Sequence, residues 1–381
     1  MATPKKVVHL TTVHHPYDPR IFHKECKSLA KAGYDVTLIA QRDENGRTAD
    51  KPIRHIPLKR YKSRWKRMLF GTLQAYWKAK DQNAEVYHFH DPELLPVGWL
   101  LKHDGNKVIF DIHEDYVTSI LQKDYMRPAV KKAVAAVYKY MEKFFSKEME
   151  LCLAEKYYKD IYPGGTCILN YPTVNEKFIR HERKGESEDK VIYTGNVSEV
   201  RGAFFHAKLP VIDESLSVHF VGKCPSDLAD EMYAVAGEKK DQLIIEGVDR
   251  FIDKEVIEDR YLSRNWLAGI ALFPPTEHYK RKELTKFFEY MNAGLPVICS
   301  DFPVWKEFVD KYDCGIAVDP YDDDAIREAL EFLRNNPERA RVMGENGKTA
   351  VMEELNWETQ EQKLVDWYEQ MLGRRTAQTE G

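Results

Sequence analysis

Apolar positions along the chain follow two rhythms in alternation. Short runs rich in Val, Ile and Leu read as buried strands at 6–12, 35–40, 86–90, 107–112, 151–154 and 167–169. A second series follows at 190–195, 217–222, 243–247, 269–273, 295–300 and 315–318. Longer stretches with apolar residues three and four apart separate them and read as helices. Such alternation builds parallel sheets from βαβ units, and two series predict an α/β protein of two doubly wound, Rossmann-like domains. Residues 181–190 carry no apolar side chain, so the division is predicted near residue 185, between domains over 1–182 and 188–357. A last helix, about 359–372, places Leu364, Trp367, Tyr368 and Met371 on one face.

The densest pattern lies at 283–300. Leu284, Phe287, Phe288 and Met291 form the apolar stripe of a packed helix. Gly294 suits a left-handed cap, Pro296 stops the helix, and Val297, Ile298 and Cys299 read as a strand. On the other side Thr285, Glu289 and Asn292 recur at i, i+4 and i+7. Amides at the start of such a helix can hold a diphosphate. Glu289, about 9 Å further along at 1.5 Å per residue, can accept hydrogen bonds from two vicinal hydroxyls. Diphosphate and ribose are the parts of a nucleotide diphosphate.

The segment resembles the donor site of retaining glycosyltransferases of the GT-B fold, family 4 (group 1), through Lys286, Phe288, Glu289, Tyr290, Met291, Ala293, Gly294, Pro296, Val297 and Ile298. The loop at 193–202 is similar to a second motif of that family, with Gly195 at the turn, Asn196 after it, and Arg201-Gly202 at its end. The resemblance implies two domains facing across a cleft, with residues 358–375 crossing back onto the first. Gly195, Asn196, Arg201, Glu283, Leu284, Thr285 and Glu289 would bind the donor. Arg201 and Lys286 would stabilise the departing diphosphate, and His113 would lie beside the transferred sugar. The nucleotide sugar is a substrate, and the resemblance implies no cofactor and no metal. Asp322-Asp323-Asp324 looks like an Asp-x-Asp metal motif but opens a helix, so capping accounts for it.

In the first domain His15, Asp18, Arg20, Ile21, Phe22, Lys24 and Glu25 fit a subset of the same family. His15, Asp18 and Arg20, with His90 and Asp91 from the loop after the third strand, are candidates for the acceptor side. Arg20 at a helix start opposes the dipole, so it either pairs with Asp18 or touches a phosphate. A zinc site from His88, His90, Asp91, His113 and Glu114 is set aside, because the helical His-x-x-x-His pair is missing. His88, between apolar neighbours, reads as a core residue. The family usually has a second Glu eight residues before Glu289, where this chain has Arg281. That departure leaves the donor sugar open and keeps two alternatives alive: a non-catalytic partner that binds a nucleotide sugar, and a sugar-nucleotide 2-epimerase.

Charge adds a location. Of the overall −4, residues 1–180 hold 31 Lys and Arg against 21 Asp and Glu, or +10, which leaves the remainder at −14. Residues 51–80 contain ten basic side chains and no acid, with Trp65, Met68, Leu69, Leu73, Tyr76 and Trp77 at helical spacing. A domain helix must bury one face, so that apolar stripe is expected on the sheet, its basic flanks left to solvent or an anionic lipid surface. Nucleic acid is the rival partner, and the site chemistry argues against it. The chain has no run of 18 apolar residues, its start lacks the core of a signal peptide, and its six scattered cysteines read as core residues in a reducing compartment. The expectation is a cytoplasmic glycosyltransferase, peripheral on the inner face of the membrane. It would move a hexosyl or N-acetylhexosaminyl group to a glycan or lipid-linked acceptor.

Overall fold

The computed structural model describes residues 3–43, 52–121, 127–183 and 185–373. They form two compact units, one of residues 1–170 with 357–381, the other of residues 171–356.

The first unit is a parallel sheet of β1 (Lys6–Leu10), β2 (Asp35–Gln41), β3 (Arg54–Leu58), β4 (Val86–Phe89), β5 (Lys107–Ile112), β6 (Glu150–Leu153) and β7 (Thr166–Cys167), in the order β3-β2-β1-β4-β5-β6-β7. The reversal at β1 makes the ends of β1 and β4 a topological switch point, where open sheets hold their ligands. β3 is a strand that the sequence pattern did not predict. Among the described residues it pairs only with β2, at the sheet edge, where Pro57 removes no needed donor.

Helices cover both faces. Phe22, Cys26 and Leu29 pack on one, with Trp357, Leu364, Trp367 and Tyr368 of the closing helix Trp357–Met371. Ala75 and Ala79 pack on the other with Leu95 and Leu101. The closing helix is tied by the Trp357 indole, which donates to Ser28 Oγ at 3.0 Å.

The second unit is a parallel sheet of β8 (Glu188–Thr194), β9 (Ser217–Cys224), β10 (Leu243–Val248), β11 (Trp266–Ala271), β12 (Val297–Ser300) and β13 (Gly315–Val318), in the order β10-β9-β8-β11-β12-β13. It switches at β8 and β11. The units divide between Asn170 and Tyr171, earlier than the charged segment at 181–190. The helix Glu176–Arg180 accounts for the shift, because it belongs to the second unit. Asn175 donates to Glu258 at 2.9 Å, and the Phe178 ring lies 6.2 Å from that of Tyr261. A polar run marked exposure there, not a change of domain.

Candidate active site

The groups read as donor-binding in the second unit converge on the loop that leaves β8. Gly195 turns that loop with φ +84°. Its N–H donates to Val221 O, and Val197 N–H to Lys223 O, both at 2.9 Å, so the loop runs along the end of β9. Gly222 lies between those two acceptors, and a Cβ there would sit 1.9 Å from Gly195 O. Asn196 is exposed, and its carbonyl accepts from Tyr193 OH at 2.9 Å and from Arg201 at 3.5 Å. Arg201 Nε donates to Tyr279 OH at 3.1 Å, which aims the guanidinium along the loop.

The helix Thr285–Asn292 starts beside this loop. Leu284, Phe287, Phe288 and Met291 are buried, and no side chain caps the first turn. Lys286 Nζ lies 4.8 Å over the Tyr193 ring and 3.1 Å from where a Cβ on Gly195 would be. Loss of water around Nζ, with Arg201 nearby, pushes its pKa down to about 8, against the pull of Glu289. Glu289 Oε2 accepts from Tyr261 OH at 3.0 Å, and Tyr261 OH in turn meets Thr194 Oγ1 at 2.6 Å. That leaves carboxylate capacity for a further donor pair. Asn292, read with the same polar stripe, is buried. Thr285 is exposed and Glu283 half-buried, in a turn anchored where the Trp305 indole donates to Lys282 O at 2.7 Å. Arg281 is exposed. Asp322 accepts from the N–H groups of Asp324 and Ala325, at 3.1 and 3.0 Å, as a helix cap.

In the first unit the candidates separate into an outer loop and a buried cluster. His15 is half exposed, with Nε2 3.3 Å from Asp43. Asp18 accepts from the backbone N–H of Arg20 and Ile21 at 2.8 and 3.0 Å, and lies 3.3 Å from His14 Nδ1. Asp91 is spent on the loop after β1, accepting from Thr11 Oγ1 at 2.9 Å and from Thr12 N–H at 2.5 Å. Arg20 takes neither role expected of it. The residue is 3% exposed, and its side chain forks onto Asp111 at 3.0 and 3.1 Å, with Glu25 at 3.0 Å. A buried guanidinium must be paired to offset its lost hydration, and Asp111 lies near the end of β5 to receive it. His90 is also fully buried, its Nδ1 3.0 Å from Asp111 and 3.2 Å from His113 Nε2. Only His113 of this set keeps an exposed edge, and burial pushes its pKa down to about 3, so it is neutral.

Two sequence profiles match the chain. "Glycosyl transferase 4-like domain" matches residues 20–147, and "Glycosyl transferases group 1" matches residues 285–350. A search of curated proteins returns no match. Among solved structures, a glycosyltransferase from Rickettsia africae superposes with a TM-score of 0.72 at 13% identity, covering 98% of this chain and 100% of its own. Sucrose-phosphate synthase from Thermosynechococcus elongatus gives 0.69 at 18%, covering 97% and 100%. HepE of Anabaena, in complex with UDP and glucose, gives 0.66 at 11%, covering 96% and 100%.

The chain is a group 1 glycosyltransferase. Its fold is GT-B, with two Rossmann-like domains.

Sequence reasoning about this glycosyltransferase missed the tyrosines that aim its charged groups, Tyr261 on Glu289 and Tyr279 on Arg201. Each comes from an element far away in sequence, and no local spacing announces it. It also misplaced most of the stripe of the 51–80 segment, of which Tyr76 alone packs half-buried against the core. Trp65, Leu69, Phe70, Leu73 and Trp77 are all exposed, Trp65 at 79%, and the face on the sheet is Ala75 and Ala79, with Gly71 buried near Tyr61. Small side chains let that helix approach closely, and its large apolar side is turned outward.

Proposed function

We propose that this glycosyltransferase retains anomeric configuration. It would move a hexosyl or N-acetylhexosaminyl group from a nucleotide-diphosphate sugar to a glycan or lipid-linked acceptor, in cell-surface polysaccharide synthesis. The observation that carries the donor half is the convergence of Gly195, Arg201, Lys286 and Glu289 on one loop. The bond from anomeric carbon to diphosphate oxygen breaks while the acceptor hydroxyl attacks the same face, and its proton passes to the departing diphosphate. Arg201, Lys286 and the uncapped amides of the helix Thr285–Asn292 offset the developing negative charge, with no metal required. Glu289 holds the ribose hydroxyls. HepE, solved with UDP and glucose, supports a donor of this class.

The acceptor half rests on the surface of the first unit. No helix of the described residues is long and apolar enough to cross a membrane. The row Trp65, Leu69, Phe70, Leu73 and Trp77, flanked by Arg64, Lys66, Lys78 and Lys80, has the chemistry of a helix lying in an anionic interface. Val130, Val134, Val137, Met141 and Phe144 form a second exposed row on the helix Pro128–Phe145. A pocket of about 610 Å³ lined by Trp99, Leu100, Phe144, Phe145 and Met149, with Lys102 and Lys147 outnumbering Glu148, has room for a lipid carrying phosphate. The protein would then work at the cytoplasmic face of the membrane.

The test is incubation with a panel of nucleotide-diphosphate sugars, with and without membrane lipid extract. Transfer with retained configuration, read by NMR, is expected with extract, and Glu289→Gln should lose most donor affinity. An inverted product overturns retention. Conversion of the donor without acceptor would identify a 2-epimerase, and donor binding with no transfer to any acceptor would identify a non-catalytic partner.

A further inference from the structure

The buried end of β1 and β4 holds a cluster that the transfer reaction does not use. His9 on β1 stands opposite His88 on β4, and His90 follows two residues later on the same side. Glu25 reaches them from a wide turn, Ile21–Cys26, wound as a π-helix in which Glu25 N–H bonds Arg20 O, five residues back. All four side chains are fully buried.

We infer that His9, Glu25, His88 and His90 form a structural site for one divalent transition-metal ion, zinc before others. One nitrogen or oxygen from each lies within 4.8 Å of the others. His9 Nδ1 is 3.0 Å from His90 Nε2, and each of these is 3.8 Å from Glu25 Oε2. His88 Nε2 is 4.0 Å from the same oxygen. Tetrahedral bonds of about 2.0–2.2 Å put ligand atoms about 3.3–3.6 Å apart, and the observed separations straddle that value.

The outer atoms of two rings are already held as ligating histidines require. His90 Nδ1 lies 3.0 Å from Asp111 Oδ2, and His88 Nδ1 lies 2.8 Å from Tyr368 OH, so each can turn an Nε2 lone pair inward. Hydrogen bonding leaves the centre unfinished. His88 Nε2 and both Glu25 oxygens have no hydrogen-bond partner, although Arg20 Nε stands 3.0 Å from Oε1 as an ion pair. Glu25 and Asp111 share that one guanidinium, which leaves room for more positive charge. Four protein ligands leave no open position for water or substrate, which is the pattern of a structural ion, not a Lewis acid. The ion would pin β1, β4 and the π-turn together and, through Tyr368, the closing helix. The set first weighed from sequence, His88, His90, Asp91, His113 and Glu114, shares only two members with this one.

The test uses the full chain, stripped with a chelator and then loaded with Zn²⁺ or Co²⁺, gel-filtered and assayed for metal by mass spectrometry. About one equivalent per chain is expected, with a raised Tm for the zinc form and the visible absorption of tetrahedral cobalt. His9→Gln should abolish uptake, and the exposed-site control His103→Gln should keep it. If His9→Gln fails to fold, Tyr368→Phe decides: its hydroxyl would not meet the ion, only the outer nitrogen of His88, and its loss should weaken metal binding about 10–100-fold. Uptake by wild type below about a tenth of an equivalent with no change in Tm overturns the inference and leaves a metal-free cluster sharing protons. So does equal uptake by wild type, His9→Gln and Tyr368→Phe.

Discussion

Replacing Gly222 by alanine should dislocate the loop that leaves β8 without altering any residue expected to meet the donor. An added Cβ would stand 1.9 Å from Gly195 O, 2.5 Å from its carbonyl carbon and 2.9 Å from its Cα. Ordinary contact begins at 3.4 Å, so backbone must move by about 1.5 Å. No rotamer change relieves this, because the obstruction is main chain, held by the bonds to Val221 O and Lys223 O. Nor can β9 retreat freely. Gly222 O itself lies 2.4 Å from the Cβ position of Gly247 on β10. Overpacking of this kind costs about 1–3 kcal/mol. Misplacing reacting groups by about 1 Å costs on the order of 100-fold in rate. The expected result is therefore a modest fall in Tm with a fall of about 100-fold in kcat/KM for the donor, and weaker nucleoside-diphosphate binding by calorimetry. Gly164→Ala is the control, since a Cβ there meets nothing within 4 Å. A Gly222→Ala protein with wild-type Tm and donor affinity would refute the claim that strand contact shapes the loop.

Lys286, with its pKa pushed down to about 8, is charged below that pH and neutral above it. The kcat/KM for the donor should therefore fall as pH rises through about 8; Lys286→Arg should move that limb upward, and a wild-type profile flat to about pH 9.5 would contradict the role. Arg20→Ala leaves Asp111 and Glu25 buried without their guanidinium and should cost about 3–5 kcal/mol in urea denaturation; a loss under about 1 kcal/mol would show that the cluster neutralises itself. Trp65→Ala combined with Trp77→Ala should weaken flotation with anionic vesicles by about tenfold or more. High salt should weaken wild-type flotation too, and equal binding to neutral and anionic vesicles would sink the membrane reading.

The second unit was legible because its information is local. The helix Thr285–Asn292 carries its stripe, its turn and its stop within one run, and Leu284, Phe287, Phe288 and Met291 are buried as their spacing required. What spacing could not supply was the partner of each charged group. Tyr261 is 28 residues from Glu289, and Tyr279 is 78 from Arg201, so only the folded sheet brings them together. Arg20 shows the same limit more sharply. Asp18 lay two residues away and was a natural partner, yet its carboxylate is taken by backbone N–H groups, and the guanidinium crosses 91 positions to Asp111.

The stripe at 65–77 was misplaced for a different reason. Periodicity finds the two faces of a helix but says nothing of which one a sheet will accept. The apolar weight of Trp65, Leu69, Leu73 and Trp77 argued for burial, while Gly71, Ala75 and Ala79 on the other side argued for close approach. Close approach prevailed, since β1, β2 and β4 already fill the layer with Val8, Leu10, Ile39, Tyr87 and Phe89. The result is an apolar face larger than solubility favours, on the segment that carries no acid. A helix that only completes a domain would present Lys and Glu there. Large aromatics rimmed by Arg and Lys are instead what an anionic interface would select, and the membrane proposal stands or falls on that face.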